Sequence, residues 1–136
     1  MSTYTLVIHG GAGTILKKDL TNELEAAYRK GLDDALKAGY ALLEKGKTAV
    51  EAVLAATISL ENNILFNAGK GSVFGKDGSQ EMDASIMDGK NLMAGAVSAV
   101  RNVRNPVELA HAIMNKSQHV MLNGNGALEF AKEQGL

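Results

Sequence analysis

The spacing of apolar positions changes several times along the chain, and each change predicts an element. "YTLVIH" (4–9) is a short apolar run rich in β-branched residues and bounded by glycines, which predicts a buried strand. From Leu20 to Lys45 the period lengthens. Leu20, Leu24, Ala27, Tyr28, Leu32, Ala35, Leu36, Gly39, Leu42 and Leu43 fall mostly at three- and four-residue steps, the stripe of one long amphipathic helix, with Gly46 as its terminator. "TAVE", Thr48 to Glu51, has the hydroxyl-to-carboxylate spacing of a capping box. It opens a second helix that Val50, Val53, Leu54, Thr57 and Ile58 carry to about Glu61. Two helices joined by a short loop predict an antiparallel helical layer.

After "NNILFNAGKG" the pattern turns to strands. Asp77-Gly78 and Asp88-Gly89 are hairpin signals that divide segments near 72–75, 80–87 and 92–100. The third, "LMAGAVSAV", has little polar character on either face and is expected to be covered on both sides. "NPVE" (105–108) starts a helix with an Asn cap and Pro at the first helical position. Leu109, Ala110, Ile113 and Met114 form that helix's apolar face. "HVMLNG" predicts one more short strand, and Asn125 to Gln134 a last helix ended by Gly135. Strands and helices are partly segregated, so the class is α+β, a small-residue sheet sandwiched between helical layers.

Composition narrows the functional classes. The 136 residues suit one domain or a large piece of one. A net charge of −1 provides no field for nucleic acid or anionic membranes. The absence of cysteine excludes disulfides, a thiol nucleophile and thiolate metal ligands, and fits a reducing compartment. No secretory signal pattern opens the sequence, and no apolar run approaches the ~20 residues of a membrane helix. The expectation is a soluble, cytoplasmic protein with no nucleic-acid or membrane partner.

The candidate chemistry begins at "HGGAG" (9–13). Gly11 and Gly13 supply the first pair of a dinucleotide fingerprint, but its third glycine position is Leu16. The phosphate-loop Gly-Lys-Ser/Thr ending is absent. The stretch is similar to the His-Gly-Gly loop that lends N–H groups to an oxyanion hole, yet "GKGSVFG" holds Ser72 out of register for a serine elbow. The residues alone equally allow a tight packing turn. His9, His111 and His119 form no recognisable set with a serine and an acid and read as structural. Asp77 and Asp88 read as turn residues. Glu81 and Asp83 share one strand face with Ser85, which permits acid–base work but fits a solvated or ion-paired face better. "NNILFNAGKG" can bend around a cation held by backbone carbonyls, a mode that leaves little side-chain signature.

Together, "HGGAG", "LFNAGKGSVF", "EMDASIMDG", "AGAVSAV" and "VRNPVELA" come in the order and near the spacing found in isoaspartyl peptidases of the plant-type asparaginase family. The resemblance spans essentially the whole chain. It implies an N-terminal-nucleophile hydrolase with a four-layer αββα sandwich, made as a precursor that cuts itself before a threonine. Residues 1–136 resemble the α subunit, or most of it, and the threonine nucleophile would begin a β subunit that is not in this chain. The implied reaction is hydrolysis of β-aspartyl dipeptides and, more weakly, L-asparagine, by a dimer of αβ units. No catalytic residue is carried over to this chain. Asn67 and the glycines Gly10, Gly11 and Gly13 match supporting positions near the nucleophile. The resemblance also implies a structural sodium ion on the main-chain carbonyls of Leu60, Glu61, Asn63, Phe66, Ala68 and Lys70, a hard cation on neutral oxygens, and no organic cofactor.

α subunits in that family usually continue further into a mobile linker, so this sequence alone is expected to be inactive. Two other readings stay open. One is a related self-cleaving enzyme, a glycosylasparaginase or a protein-cleaving threonine protease. The other is a non-catalytic domain that binds a ligand or partner through the glycine loop.

Overall fold

A computed structural model describes residues 3–13 and 15–136. Among the described residues the chain is a mixed α/β unit with four α-helices and one three-stranded sheet. Helix α1 is Asn22–Glu44, and the Thr21 side chain accepts a hydrogen bond from the Leu24 N–H. Its buried positions are Gly31, Ala35 and Gly39, all small, so a neighbour can approach closely. That neighbour is α2, Ala49–Glu61, which runs back along it. A Cβ placed on Gly39 would sit 2.7 Å from the Ala52 carbonyl, and one on Gly31 would sit 2.5 Å from Asn63 Nδ2. Gly46 and Gly135 take the positive φ that ends α1 and the last helix.

The capping box before α2 forms as the spacing predicts. Thr48 accepts from the Glu51 N–H at 3.2 Å, and Glu51 accepts from the Thr48 N–H at 2.8 Å. The Thr48 backbone N–H, then its hydroxyl, holds the Glu51 carboxyl below the usual carboxylate range. A folded-state value below the unfolded one means that the box stabilises above the ordinary glutamate pKa and loses this contribution as pH falls through the lower folded value. The unfolding midpoints of the wild type and Glu51→Gln should therefore be separated at pH 7 and converge as acidification protonates the folded-state carboxyl. A gap that stays constant would refute this account.

The strand expected at 4–9 is not formed. The alternation is present, since Leu6 and Ile8 are half-buried while Thr5, Val7 and His9 face out. A strand exists only as a pair, however, and the sheet order β1-β2-β3 does not include this segment. It instead lies along α1. Tyr4 meets Tyr40 edge-on at 5.4 Å, and Leu6 reaches the Gly39 position.

The segment 72–75 is also not a strand. The Val73 N–H bonds to Asn67 Oδ1 at 3.0 Å, and the Gly75 N–H to the Ser79 carbonyl at 2.7 Å. Local partners thus take the groups a ladder would need. Strand β1 is Met82–Met87 and β2 is Ala94–Val100, paired antiparallel. Their connection spans Asp88 to Met93 and places Leu92, not Gly89, at positive φ, so the turn is longer than an Asp-Gly hairpin. Strand β3, Met121–Asn123, adds in parallel to β2.

Helices α3, Pro106–Lys116, and α4, Gly124–Gln134, bury one face of this sheet. Ile86, Val97, Val100, Leu109, Ile113 and Ala131 lie in that core. The expected cover on both faces of β2 is not observed: Asp83, Ser85 and Met87 on the other face are exposed, and Ala96 and Ser98 are half-exposed. Small apolar residues permit burial without supplying the element that would bury them. The described residues provide a sheet layer and helical layers but no second sheet.

Candidate functional site

The glycine stretch and the loop after α2 lie far apart in sequence and face each other in the fold. Gly10 crosses α1 so closely that a Cβ there would lie 3.0 Å from Leu32 Cδ2 and 3.0 Å from Phe66 Cε1. Gly11 has φ +124° with nothing within 4 Å of a Cβ, so conformation rather than space selects glycine there. Phe66 is buried and meets Tyr28 edge-on at 5.9 Å, which seats the two segments on one aromatic pair. A cavity of about 370 Å³ results, lined by residues 9–13 on one wall and by Leu60, Leu65, Phe66, Asn67 and Ala68 on the other. The fold thus places Gly10, Gly11, Gly13 and Asn67 around one cavity. His9 also lines this cavity.

The 62–71 loop is held by its own polar groups. Asn63 Oδ1 accepts from the Leu65 N–H, and Asn67 Oδ1 accepts from the Val73 N–H, each at 3.0 Å. Ser72 Oγ donates to the Gly69 carbonyl at 2.8 Å. The carbonyls of Phe66, Ile64 and Asn63 lie 2.2, 2.9 and 3.0 Å from the point a Gly71 Cβ would occupy. The Glu61 carbonyl lies 2.5 Å from the corresponding point on Gly69. Neutral oxygens of Asn63, Ile64 and Phe66 therefore crowd Gly71, and that of Glu61 crowds Gly69; Ile64 is absent from the expected set. Such a donor set fits a hard monovalent cation. The Leu60 and Ala68 carbonyls accept from the Asn63 and Gly71 N–H groups, each at 3.0 Å. Among the described residues no group of three or more His, Asp or Glu side chains forms a metal cluster.

The side chain that sequence reasoning missed is that of Glu61. It is 3% exposed. One carboxylate oxygen accepts from the Val107 N–H at 3.0 Å, and the other from Asn105 Nδ2 at 3.0 Å. Asn105 was expected to cap α3 with its own side chain, and it does not. Its amide is turned to Glu61, and the carboxylate supplies the cap from another helix. Burial pushes the Glu61 carboxyl up from its ordinary value, with the Asn105 and Val107 hydrogen bonds opposing. Only the glutamate's place at the end of an apolar helix could have signalled this, and that place is equally common for a solvated residue.

The remaining acids are structural. Asp77 accepts from the Ser79 N–H and hydroxyl, and these bonds hold its carboxyl below the usual range. Glu81 pairs with Arg101 at 2.6 Å. Asp83 accepts at 2.8 Å from the N–H of Ala99, which has φ 49° in a β-bulge opposite it. Asp88 accepts from the Lys90 N–H. Ser85 thus gains no acid–base partner from Asp83, whose carboxylate is committed to the bulge.

The chain matches the family model described as Asparaginase over residues 2–136. It is 50% identical to the isoaspartyl peptidase/L-asparaginase of Xenopus laevis over 131 residues, covering 96% of this chain and 41% of that protein. It is 47% identical to the Danio rerio protein of the same name, covering 96% and 41%. It is also 43% identical to the isoaspartyl peptidase of Salmonella typhimurium over 136 residues, covering 100% of this chain and 44% of that protein. The chain thus spans about two fifths of the length of these curated relatives.

Proposed function

This chain belongs to the asparaginase family, and on that premise we propose that it is the α-subunit portion of a hydrolase cleaving β-aspartyl dipeptides and L-asparagine. The observation that carries the reading is the cavity in which the glycine loop faces Asn67. In this reading the precursor cuts itself, and a second polypeptide brings an N-terminal threonine whose own α-amino group acts as base. The assembly is a dimer of αβ units in the cytoplasm. Gly11 and Gly13, where a Cβ would meet nothing within 4 Å, and Gly10 bring no side chain to that wall, which leaves room for the threonine and its substrate. Asn67, with Oδ1 held by the Val73 N–H, keeps Nδ2 available to donate a hydrogen bond towards the reacting group.

A sodium ion belongs to the same reading, held by the main-chain carbonyls of Leu60, Glu61, Asn63, Phe66, Ala68 and Lys70. Bound there, it would supply a fixed positive charge to these oxygens. No bond-making step runs through it.

The test expresses this chain with and without its companion polypeptide and measures hydrolysis of β-Asp-Leu. Activity is expected only when a companion with N-terminal threonine co-purifies, as read by intact-mass spectrometry. Turnover by this chain alone would overturn the proposal. In the assembly, Asn67→Ala should lower kcat by about 10²-fold with little change in KM, as for loss of a positioned donor. An unchanged kcat would remove Asn67 from the site.

A further inference from the structure

The Glu61 carboxylate has no part in the chemistry proposed above, yet it is among the most deeply buried charged groups described. Its two hydrogen bonds reach 44 and 46 residues along the chain to Asn105 and Val107. The next residue makes a parallel tie, since Arg104 Nε donates to Asn62 Oδ1 at 3.2 Å. Two consecutive residues at the end of α2 are therefore fastened to the start of α3. On its other side Glu61 is pinched by Gly69. A Cβ on Gly69 would lie 2.5 Å from the Glu61 carbonyl oxygen, 2.7 Å from its Cβ and 2.9 Å from its Cα. Gly69 itself sits at φ +51°.

Glu61 carries both the clasp and one of the inward carbonyls on a single Cα. Holding the carboxylate at two points restricts rotation about the bonds that aim that carbonyl. It also sets where the loop leaves the helix, and hence where the Asn63 and Phe66 oxygens fall.

We infer that the Glu61 side chain is a positioning residue for the cation loop: the clasp to Asn105 and Val107, not direct ligation, aims the loop's carbonyl oxygens. This rests on the sodium reading given above. Residues that hold ligands in place rather than touch the metal typically change affinity 10- to 100-fold when removed. Glutamine can keep much of the arrangement, with its oxygen accepting from Val107 and the Asn105 amide turned over to accept from its NH2.

The test titrates sodium chloride against choline chloride in the intact protein expressed from its natural gene, followed by ²³Na NMR line broadening. Denaturant midpoints are measured in parallel. Wild type should show saturable sodium-specific broadening. Glu61→Gln should stay within about threefold of the wild-type affinity, while Glu61→Ala should weaken it tenfold or more. If the alanine variant does not fold, Glu61→Asp, one methylene too short to reach both partners, should show a loss of the same kind. Wild-type sodium binding with undiminished affinity in the alanine or aspartate variant, whatever the loss of stability, overturns the positioning role and leaves Glu61 a helix cap. No sodium-specific signal in wild type overturns the sodium reading and the inference with it.

Discussion

Gly95→Ala is expected to remove about 3 kcal/mol or more of folding stability, near or beyond the upper end of ordinary overpacking. Gly95 lies within β2, the middle strand of the sheet, and α3 crosses directly over it. A Cβ there would lie 2.0 Å from the Ala110 carbonyl oxygen, 2.6 Å from the Met114 nitrogen and 2.8 Å from Met114 Cβ. Two of these atoms are helix backbone, which cannot turn aside as a side chain tip can. To admit the methyl, α3 must lift from the sheet and take Leu109 and Ile113, both fully buried, with it. Urea unfolding followed by far-UV circular dichroism would measure the loss as a lowered midpoint. Gly13→Ala, where a Cβ meets nothing within 4 Å, serves as the control and should shift the midpoint little. Equal midpoints for Gly95→Ala and wild type would mean that α3 does not sit on β2 in this way.

Gly71→Ala should open the 62–71 loop and destabilise the chain by about 2–3 kcal/mol. The added methyl would lie 2.2 Å from the Phe66 oxygen, with the Ile64 and Asn63 oxygens at 2.9 and 3.0 Å. All three belong to main chain that the loop's own hydrogen bonds hold. The Ala68 N–H bonds to Phe66 at 2.8 Å and the Gly71 N–H to Ala68 at 3.0 Å, so relieving the clash breaks these bonds. Hydrogen exchange should show the Ala68 and Gly71 amides losing protection while α3 amides retain theirs, a pattern that separates local opening from global unfolding. Because the loop forms one wall of the cavity, hydrolytic activity of the assembly should fall with the same substitution. Retained protection at Ala68 would mean that the carbonyls do not crowd Gly71.

Much of the helical structure was legible from residues that act on their near neighbours. Thr48 and Glu51 satisfy each other's backbone donors within one turn, so their spacing alone announces α2. Pro106 marks the start of α3 and Gly135 the end of α4 for equally local reasons. Strands were less legible. The 4–9 run alternates like a strand, yet no described strand lies beside it to complete a ladder. Asp77-Gly78 makes its turn, but Asn67 and Ser79 take up the neighbouring N–H groups of Val73 and Gly75.

The site divides in the same way. The sequence by itself determined the helices, the Thr48–Glu51 capping box, the bare glycine loop and the family. Each of these depends on the order of residues or on groups a few positions apart. Only the tertiary structure decided that the loop at 9–13 faces Asn67 and that Glu61 rather than Asn105 caps α3. These depend on pairings across more than 40 residues, and the free energy of burying a carboxylate against a distant N–H leaves no periodic trace in the chain.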